Sequence, residues 1–398
     1  MNYNEFFKDS IKKLKQNNNY RYFNYIHRIK GKYPICEYTD KKGNTKEITV
    51  WCSNDYMAMG QNETVSEAMC ETIKNTATGA GGTRNISGST VYHQELEETI
   101  KNWMQKESAL VFTSGWVANF TILSTLGEKI PNCIIYSDAM NHNSIIEGIR
   151  RSRAEKRIFR HNDVKHLEEL IKKDDPNAPK IIVFESIYSM NGNISPIEDI
   201  IKVAKKYNAL TFVDEVHAVG LYGDNGAGVA ESLGLMGEID IIQGTLGKAV
   251  AQVGGFMASS KEITDFVRSF GNGFIFTTSL PPVVAKGATQ SILHLKGAKQ
   301  ERTQLQNIAK HIKETFIKKG IPIMESDSHI VPVMVGNSKK CLDMSNMLIE
   351  KHDIYVQSIN HPTVAKGTER LRISPSPLHS KDMVEKLSCA IQDAFKNC

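Results

Sequence analysis

Disulfide and zinc frameworks are missing from this chain. Its seven cysteines, Cys36, Cys52, Cys70, Cys133, Cys341, Cys389 and Cys398, are odd in number, scattered and free of any C-x-x-C pair. Such a set fits reduced thiols in a cytosol-like compartment. No apolar run is long enough to span a membrane. Residues 1–15 mix acids, bases and aromatics, so they lack both a secretory apolar core and an acid-poor transit peptide. A cytoplasmic enzyme is therefore expected. Charge of one sign is barely in excess: the net of +5 does not point to nucleic acid, although it would suit an anionic, phosphate-bearing substrate. Internal repeats and low-complexity tracts are absent as well.

What is present is ordinary for a soluble globular enzyme, with 40% hydrophobic and 23% charged residues. A chain of 398 residues can bury a large core and divide into one larger and one smaller domain. The expected division is an N-terminal helix and strand segment (1–50), a large domain (51–295) and a small C-terminal domain (296–398). Phe6, Phe7, Ile11 and Leu14 mark an amphipathic helix over 2–15. Strands are expected at 36–38 and 48–51, around a turn at Gly43-Asn44. From Ser108 onward, strands at 109–112, 133–137, 181–184, 210–213 and 239–242 alternate with helical stretches. That alternation predicts an α/β fold with a doubly wound, mostly parallel sheet and a ligand at the strand ends. After Pro281-Pro282 the sequence is helix-rich to about 319. A smaller α/β piece follows, with strands at 330–335, 354–357 and 370–373 and a last helix over 382–396.

The residues beyond the strand ends carry the chemistry. Gly244-Thr245-Leu246-Gly247-Lys248 puts a lysine behind a buried strand. Its glycines would let the chain turn and a ligand approach, and a shielded amine can act as nucleophile and base. Lysines more often sit on wet surfaces, and five residues alone do not decide. A phosphate-binding P-loop is excluded, because Ile242 and Ala249 stand where it needs a glycine and a hydroxyl residue. Residues 79–88 are the most glycine-dense stretch, yet Arg84 takes the place of the third glycine of a dinucleotide fingerprint. Ser114-Gly115-Trp116 opens a helix whose free N–H groups could hold a phosphate. Asp214 and His217 could be metal ligands but lack companions at ligand spacing, and a structural hydrogen-bonded pair remains open. Arg21 among Tyr20, Tyr22 and Phe23 could snorkel over the rings or clamp a carboxylate. The basic run at 150–160 reads as a solvated face.

Seven segments then occur in one order: V-W-C-S-N-D-Y, G-A-G-G-T-R-N-I-S-G, Y-S-D-A-M-N-H-N-S-I-I-E-G-I, F-E-S-I-Y-S-M-N-G, V-D-E-V-H-A-V-G-L-Y-G, G-T-L-G-K and T-E-R-L-R-I-S-P-S-P. Together they resemble the α-oxoamine synthase family of fold-type I pyridoxal 5'-phosphate (PLP) enzymes, over nearly the whole chain. The likeness is greatest to members that condense glycine with succinyl-CoA to 5-aminolevulinate, CoA and CO2, the first step of haem and tetrapyrrole biosynthesis. The resemblance implies that Lys248 forms the Schiff base with PLP and moves the substrate proton. It implies that Asp214 pairs with the ring nitrogen, that His217 and Ser189 bond the ring oxygen, and that His142 stacks on the ring. Ser114, Gly115, Trp116 and Thr245 would hold the phosphate, joined by Thr277 and Thr278 of the partner in an obligate homodimer.

Asn54 and Arg372 would position the glycine carboxylate. Arg21, Thr83, Asn85 and Thr363 match the family's succinyl pocket, where a buried arginine would reject uncharged acyl tails. Ser137, Asn85 and Lys156 would meet the CoA portion. Trp116 stands where relatives more often carry tyrosine, and Val250-Ala251-Gln252 replaces an aromatic-glycine pair. No Cys-Pro dipeptide is present, so haem regulation of that kind is not expected. Relatives with the same lysine machinery use other thioesters, as 2-amino-3-ketobutyrate CoA ligase and 8-amino-7-oxononanoate synthase do. Some are non-catalytic subunits.

Overall fold

Runs of branched apolar residues pair into a sheet buried on both faces, as parallel strands require. The computed structural model describes residues 1–398, and the chain forms two compact units. One comprises Asn54–Ser189 and Ile194–Arg302. Its seven strands are β1 (Ser108–Phe112), β2 (Ile134–Asp138), β3 (Glu155–Phe159), β4 (Lys180–Glu185), β5 (Ala209–Asp214), β6 (Ile241–Thr245) and β7 (Gly255–Ser259). Their spatial order is β1-β7-β6-β5-β4-β2-β3. All pairings are parallel except those of β7, which runs antiparallel to both β1 and β6. The mostly parallel α/β sheet expected from the sequence is therefore present. Leu110, Phe112, Ile135, Val183, Phe212 and Ile241 from the strands share a core with Ile122 and Leu126 from the helix Gly115–Lys129. Charged Glu155 and Lys156 lie exposed on edge strand β3, where charge discourages pairing with another chain. The Pro281-Pro282 break proves to be a helix start: Pro282–Gly297 begins there, with proline where its missing N–H costs nothing.

Strand ends differ from the expected ranges, most at 239–242 and at 354–357, where the strand is only Ile354–Tyr355. The apolar run at 239–242 begins outside β6, because the Asp240 carboxylate turns to accept the Thr211 N–H (2.7 Å) and hydroxyl (2.8 Å). At its other end β6 continues through Gly244 and Thr245. Gly244 is thus needed for packing rather than for a turn. A Cβ there would lie 2.3–3.0 Å from three ring atoms of Phe256 on β7. Gly247 meets no such obstacle.

The other unit comprises Met1–Ser53, Met190–Asn193 and Thr303–Cys398. It holds a sheet in which Thr45–Val50 pairs antiparallel with Ile35–Thr39 and parallel with Ile354–Tyr355. A second sheet joins Val331–Met334, Arg370–Ile373 and Ser358–Ile359. Trp51, Phe316, Leu348, Leu371, Val384 and Ile391 share its core. The helix Tyr3–Gln16 buries none of its residues, so Phe6, Phe7, Ile11 and Leu14 lie exposed. His379 is buried against Trp51, with ring centroids 4.0 Å apart. Its Nδ1 accepts the Ser376 N–H (2.9 Å), which leaves Nε2–H to donate to the Val50 carbonyl (3.0 Å).

Two outcomes follow from this packing. Gly244→Ala is expected to cost about 1–3 kcal/mol through overpacking, read as a lower thermal midpoint. Adding Phe256→Leu should recover part of that loss; no recovery would mean the ring is not what excludes the methyl. The second outcome concerns His379, whose pKa burial lowers from 6.5 to about 4. Between those values the unfolded chain gains a proton that the folded chain refuses. Its contribution is therefore complete above pH 6.5 and is lost as pH falls toward 4, at an order of 3 kcal/mol. In denaturant titrations across that window, His379→Gln should reduce the proton uptake on unfolding by about one. An unchanged uptake would rule out a neutral His379.

Candidate active site

Parallel pairing delivers the C-terminal ends of neighbouring strands to one place. Glu185 ends β4 and Asp214 ends β5, in register with each other, while Asp214 pairs in turn with Gln243 of β6. Thr245 closes β6, and Lys248 follows three residues later. Beyond β1, Ser114 caps the helix Gly115–Lys129 by accepting the Val117 N–H at 3.1 Å. These ends surround a cavity of about 240 Å³ whose walls include Lys248, Asp214, His142, His217, Glu185 and the Ser114-Gly115-Trp116 turn. At Gly115 a side chain would intrude, since a Cβ would stand 3.0 Å from Thr245 Oγ1.

Hydrogen bonds order the walls. Asn119 Nδ2 donates to Asp214 Oδ2 (2.7 Å) and to Ser144 Oγ (3.0 Å), and Ser144 Oγ lies 2.7 Å from His142 Nδ1. The Val216 N–H reaches Asp214 Oδ1 at 2.8 Å. Burial raises the Asp214 pKa, and the Asn119 and Val216 bonds oppose that rise. His142 is pushed below its usual value, first by burial, with Asp214 opposing and the Lys248 charge adding to the shift. Its Nδ1 accepts the Ser144 N–H (3.2 Å), so the ring is neutral with its proton on Nε2. Tyr56, fully buried, donates its hydroxyl to Asn54 Oδ1 (3.1 Å) and meets His217 Nδ1 at 2.8 Å. Trp116 donates Nε1–H to Asn143 Oδ1 (3.3 Å) and stacks on Phe120.

Of the residues singled out in the sequence, Ser114, Gly115, Trp116, His142, Asp214, His217, Thr245 and Lys248 line this cavity. The others do not. Ser137 is buried within β2, where its Oγ accepts from Asn141 Nδ2 (2.9 Å). Lys156 projects from edge strand β3, and Ser189 follows β4. Thr83 donates to Asn85 (2.7 Å) in the glycine-dense turn and is bridged through its backbone to Thr278, the neighbour of Thr277. In the other unit, Arg21 Nη2 donates to Thr363 Oγ1 at 3.2 Å beside a cavity of about 410 Å³. Arg372 in that unit is buried and donates to Ser374 Oγ at 2.9 Å. Arg21 itself is exposed, contrary to the buried arginine expected from the sequence. Its neighbours Tyr22 and Phe23 are exposed too and leave it uncovered. Sequence reasoning missed Tyr56, Asn119, Ser144 and Glu185. Two of them had a local signal: Asn119 stands one helical turn beyond Gly115, and Glu185 lies just past the apolar run 181–184.

The residues present fit PLP. A helix N-terminus without a side chain at Gly115 can receive a phosphate, and a buried carboxylate at Asp214 calls for a cationic partner. The comparisons with known proteins agree. Residues 46–391 match the family model for aminotransferase class I and II. The 5-aminolevulinate synthase of Paracoccus denitrificans is 51% identical, covering 100% of this chain and 98% of that protein. That of Bradyrhizobium diazoefficiens is 48% identical, covering 98% and 95%. Among solved structures, serine palmitoyltransferase from S. paucimobilis with bound PLP-myriocin has a TM-score of 0.89 at 31% identity, covering 98% and 96%. A fold-type I aminotransferase core with a lysine, an aspartate and a helix N-terminus around one cavity, and near-full-length likeness to such enzymes, together mean that the chain belongs to the 5-aminolevulinate synthase family.

Proposed function

We propose that this chain condenses glycine with succinyl-CoA to give 5-aminolevulinate, CoA and CO2, with PLP bound in the Lys248 cavity. The observation that carries the reading is the meeting of Lys248, Asp214 and a helix N-terminus in one enclosure. Bound PLP supplies an electron sink that stabilises negative charge on the carbon beside the amino group. The protein's part is to bind, orient and move protons. Asp214 would hold the ring nitrogen's positive charge, supported from behind by Asn119 and Val216. Ser114, Gly115, Trp116 and Thr245 would hold the phosphate, joined by Thr277 and Thr278 of the other subunit in a homodimer. His142 would pack on the ring face. His217, braced by Tyr56, and Ser189 would hydrogen-bond the ring oxygen.

Lys248 Nζ takes the proton from the glycine α-carbon, for which it must be unprotonated at that moment. Asn54 and Arg372 would hold the glycine carboxylate, so that a single C–H bond is presented to Nζ. Arg21, Thr83, Asn85 and Thr363 would receive the succinyl carboxylate. Ser137, Asn85 and Lys156 would meet CoA. The cysteines are all free, and we assign the enzyme to the cytoplasm. No helix of the chain is long and apolar enough to cross a membrane.

The test is CoA release by the purified protein with glycine and succinyl-, acetyl- or pimeloyl-CoA. Succinyl-CoA should be strongly preferred, and Lys248→Ala should abolish turnover. A preference for another thioester would move the enzyme to a sister activity, and no turnover with bound PLP would leave a non-catalytic subunit. Arg21→Leu is expected to lower kcat/KM for succinyl-CoA about 10- to 100-fold while sparing glycine. Equal losses for both substrates would remove Arg21 from the acyl pocket.

A further inference from the structure

Glu185 is a second carboxyl group in the Lys248 cavity, and the reading above gives it no task. It ends β4 in register with Asp214 at the end of β5. Paired strands stand about 4.8 Å apart and registered residues point to the same face, so the two carboxyl groups leave adjacent strands into one enclosure. Both are buried, with Glu185 at 2% exposure and Asp214 at 3%. Like charges on neighbouring strands in a dry site disfavour one another, so ionising both carboxyl groups is costly. Their hydrogen bonds decide which one keeps its charge. Asp214 receives two donors, Asn119 Nδ2 and the Val216 N–H. Glu185 receives one, the His142 N–H at 2.6 Å.

We propose that Glu185 is an uncharged positioning residue: its carboxyl group accepts the His142 N–H, holds the His142 ring at the cavity wall, and leaves Asp214 as the carboxylate that carries charge there. The groups facing it agree with this assignment. Burial, then the Asp214 charge, push the Glu185 carboxyl well above its ordinary range, and Asp138 adds to that push. The His142 N–H bond and the Lys248 charge oppose it with smaller effect. A neutral Glu185 also spares Lys248 a second anion that would hold a proton on its amine.

The proposal rests on the cavity being the PLP site, so one arm of the test does without PLP. Infrared spectra of the cofactor-free protein at neutral pH should show the carbonyl stretch of a protonated carboxylic acid that disappears in Glu185→Gln. Glu215, whose pKa burial raises to about 7, is subtracted with Glu215→Gln. If Glu185→Gln fails to fold, the band is followed with pH in a Glu215→Gln, Asp214→Asn background, where Glu185 is the raised carboxyl group that is left. A band persisting above neutral pH supports the proposal, and its absence overturns it. In the loaded enzyme, Glu185→Leu should lower kcat/KM about 100-fold through a misplaced ring, with a shifted visible absorbance maximum of bound PLP. Glu185→Gln, a neutral acceptor of the same shape, should restore kcat/KM to within about tenfold and return the maximum. A glutamine variant as impaired as the leucine one would mean the carboxylate is charged, and would sink the proposal. If the protein binds no PLP at all, the cofactor reading fails while the infrared arm still decides the state of Glu185.

Discussion

The register of three parallel strands is the constraint on which the site depends. Because β4, β5 and β6 run the same way, their last residues, Glu185, Asp214 and Thr245, arrive at one edge of the sheet. Each strand could place one functional group; parallel pairing brings all three to the walls of one cavity. The strands hold that register because their faces are buried. A slip of one residue would turn Asp214 into the core on the opposite face and put apolar Val213 in its place at the cavity.

Buried polar groups of this kind are costly unless satisfied, and the structure meets the cost with short links between elements. Asn119, from the helix Gly115–Lys129, reaches both Asp214 and Ser144. Ser144, at the start of the helix Asn143–Ser152, reaches His142. Gly148 lets those two helices approach, since a Cβ there would stand 3.0 Å from the Asn119 carbonyl. Backbone packing and site electrostatics are therefore not separable here. A change that spreads the helices moves Asn119 away from the carboxylate it supports.

That coupling explains what the sequence made legible and what it hid. The sheet could be read because buried parallel strands are continuous apolar runs, as 181–184 and 210–213 are. Lys248, Asp214, His142 and Ser114 could be read because each lies just past such a run. Tyr56 and Asn119 could not, since their partners, His217 and Asp214, are 161 and 95 residues away. Nothing local marks Tyr56, and Asn119 is marked only by its place one helical turn beyond Gly115. Gly244 was legible as a glycine but not for its reason, because the ring that excludes a side chain belongs to a neighbouring strand. The start of β6 was displaced for a similar cause: the Asp240 carboxylate found partners on β5 and left the strand.

Arg21 illustrates the remaining limit from the other direction. A guanidinium among aromatics can snorkel into water or clamp a carboxylate, and the family likeness alone favours a buried clamp. Yet the chain leaves Arg21 in water with Thr363 as its partner. An exposed cation discriminates weakly, because water can replace a missing carboxylate. Strong selection among acyl groups therefore requires that something exclude water from Arg21 when substrate is present. The succinyl group, its CoA portion or a second subunit could each do so. Selectivity for the acyl donor is on this view a property of the assembled, occupied enzyme, whereas the Lys248 cavity is organised within one unit of the chain.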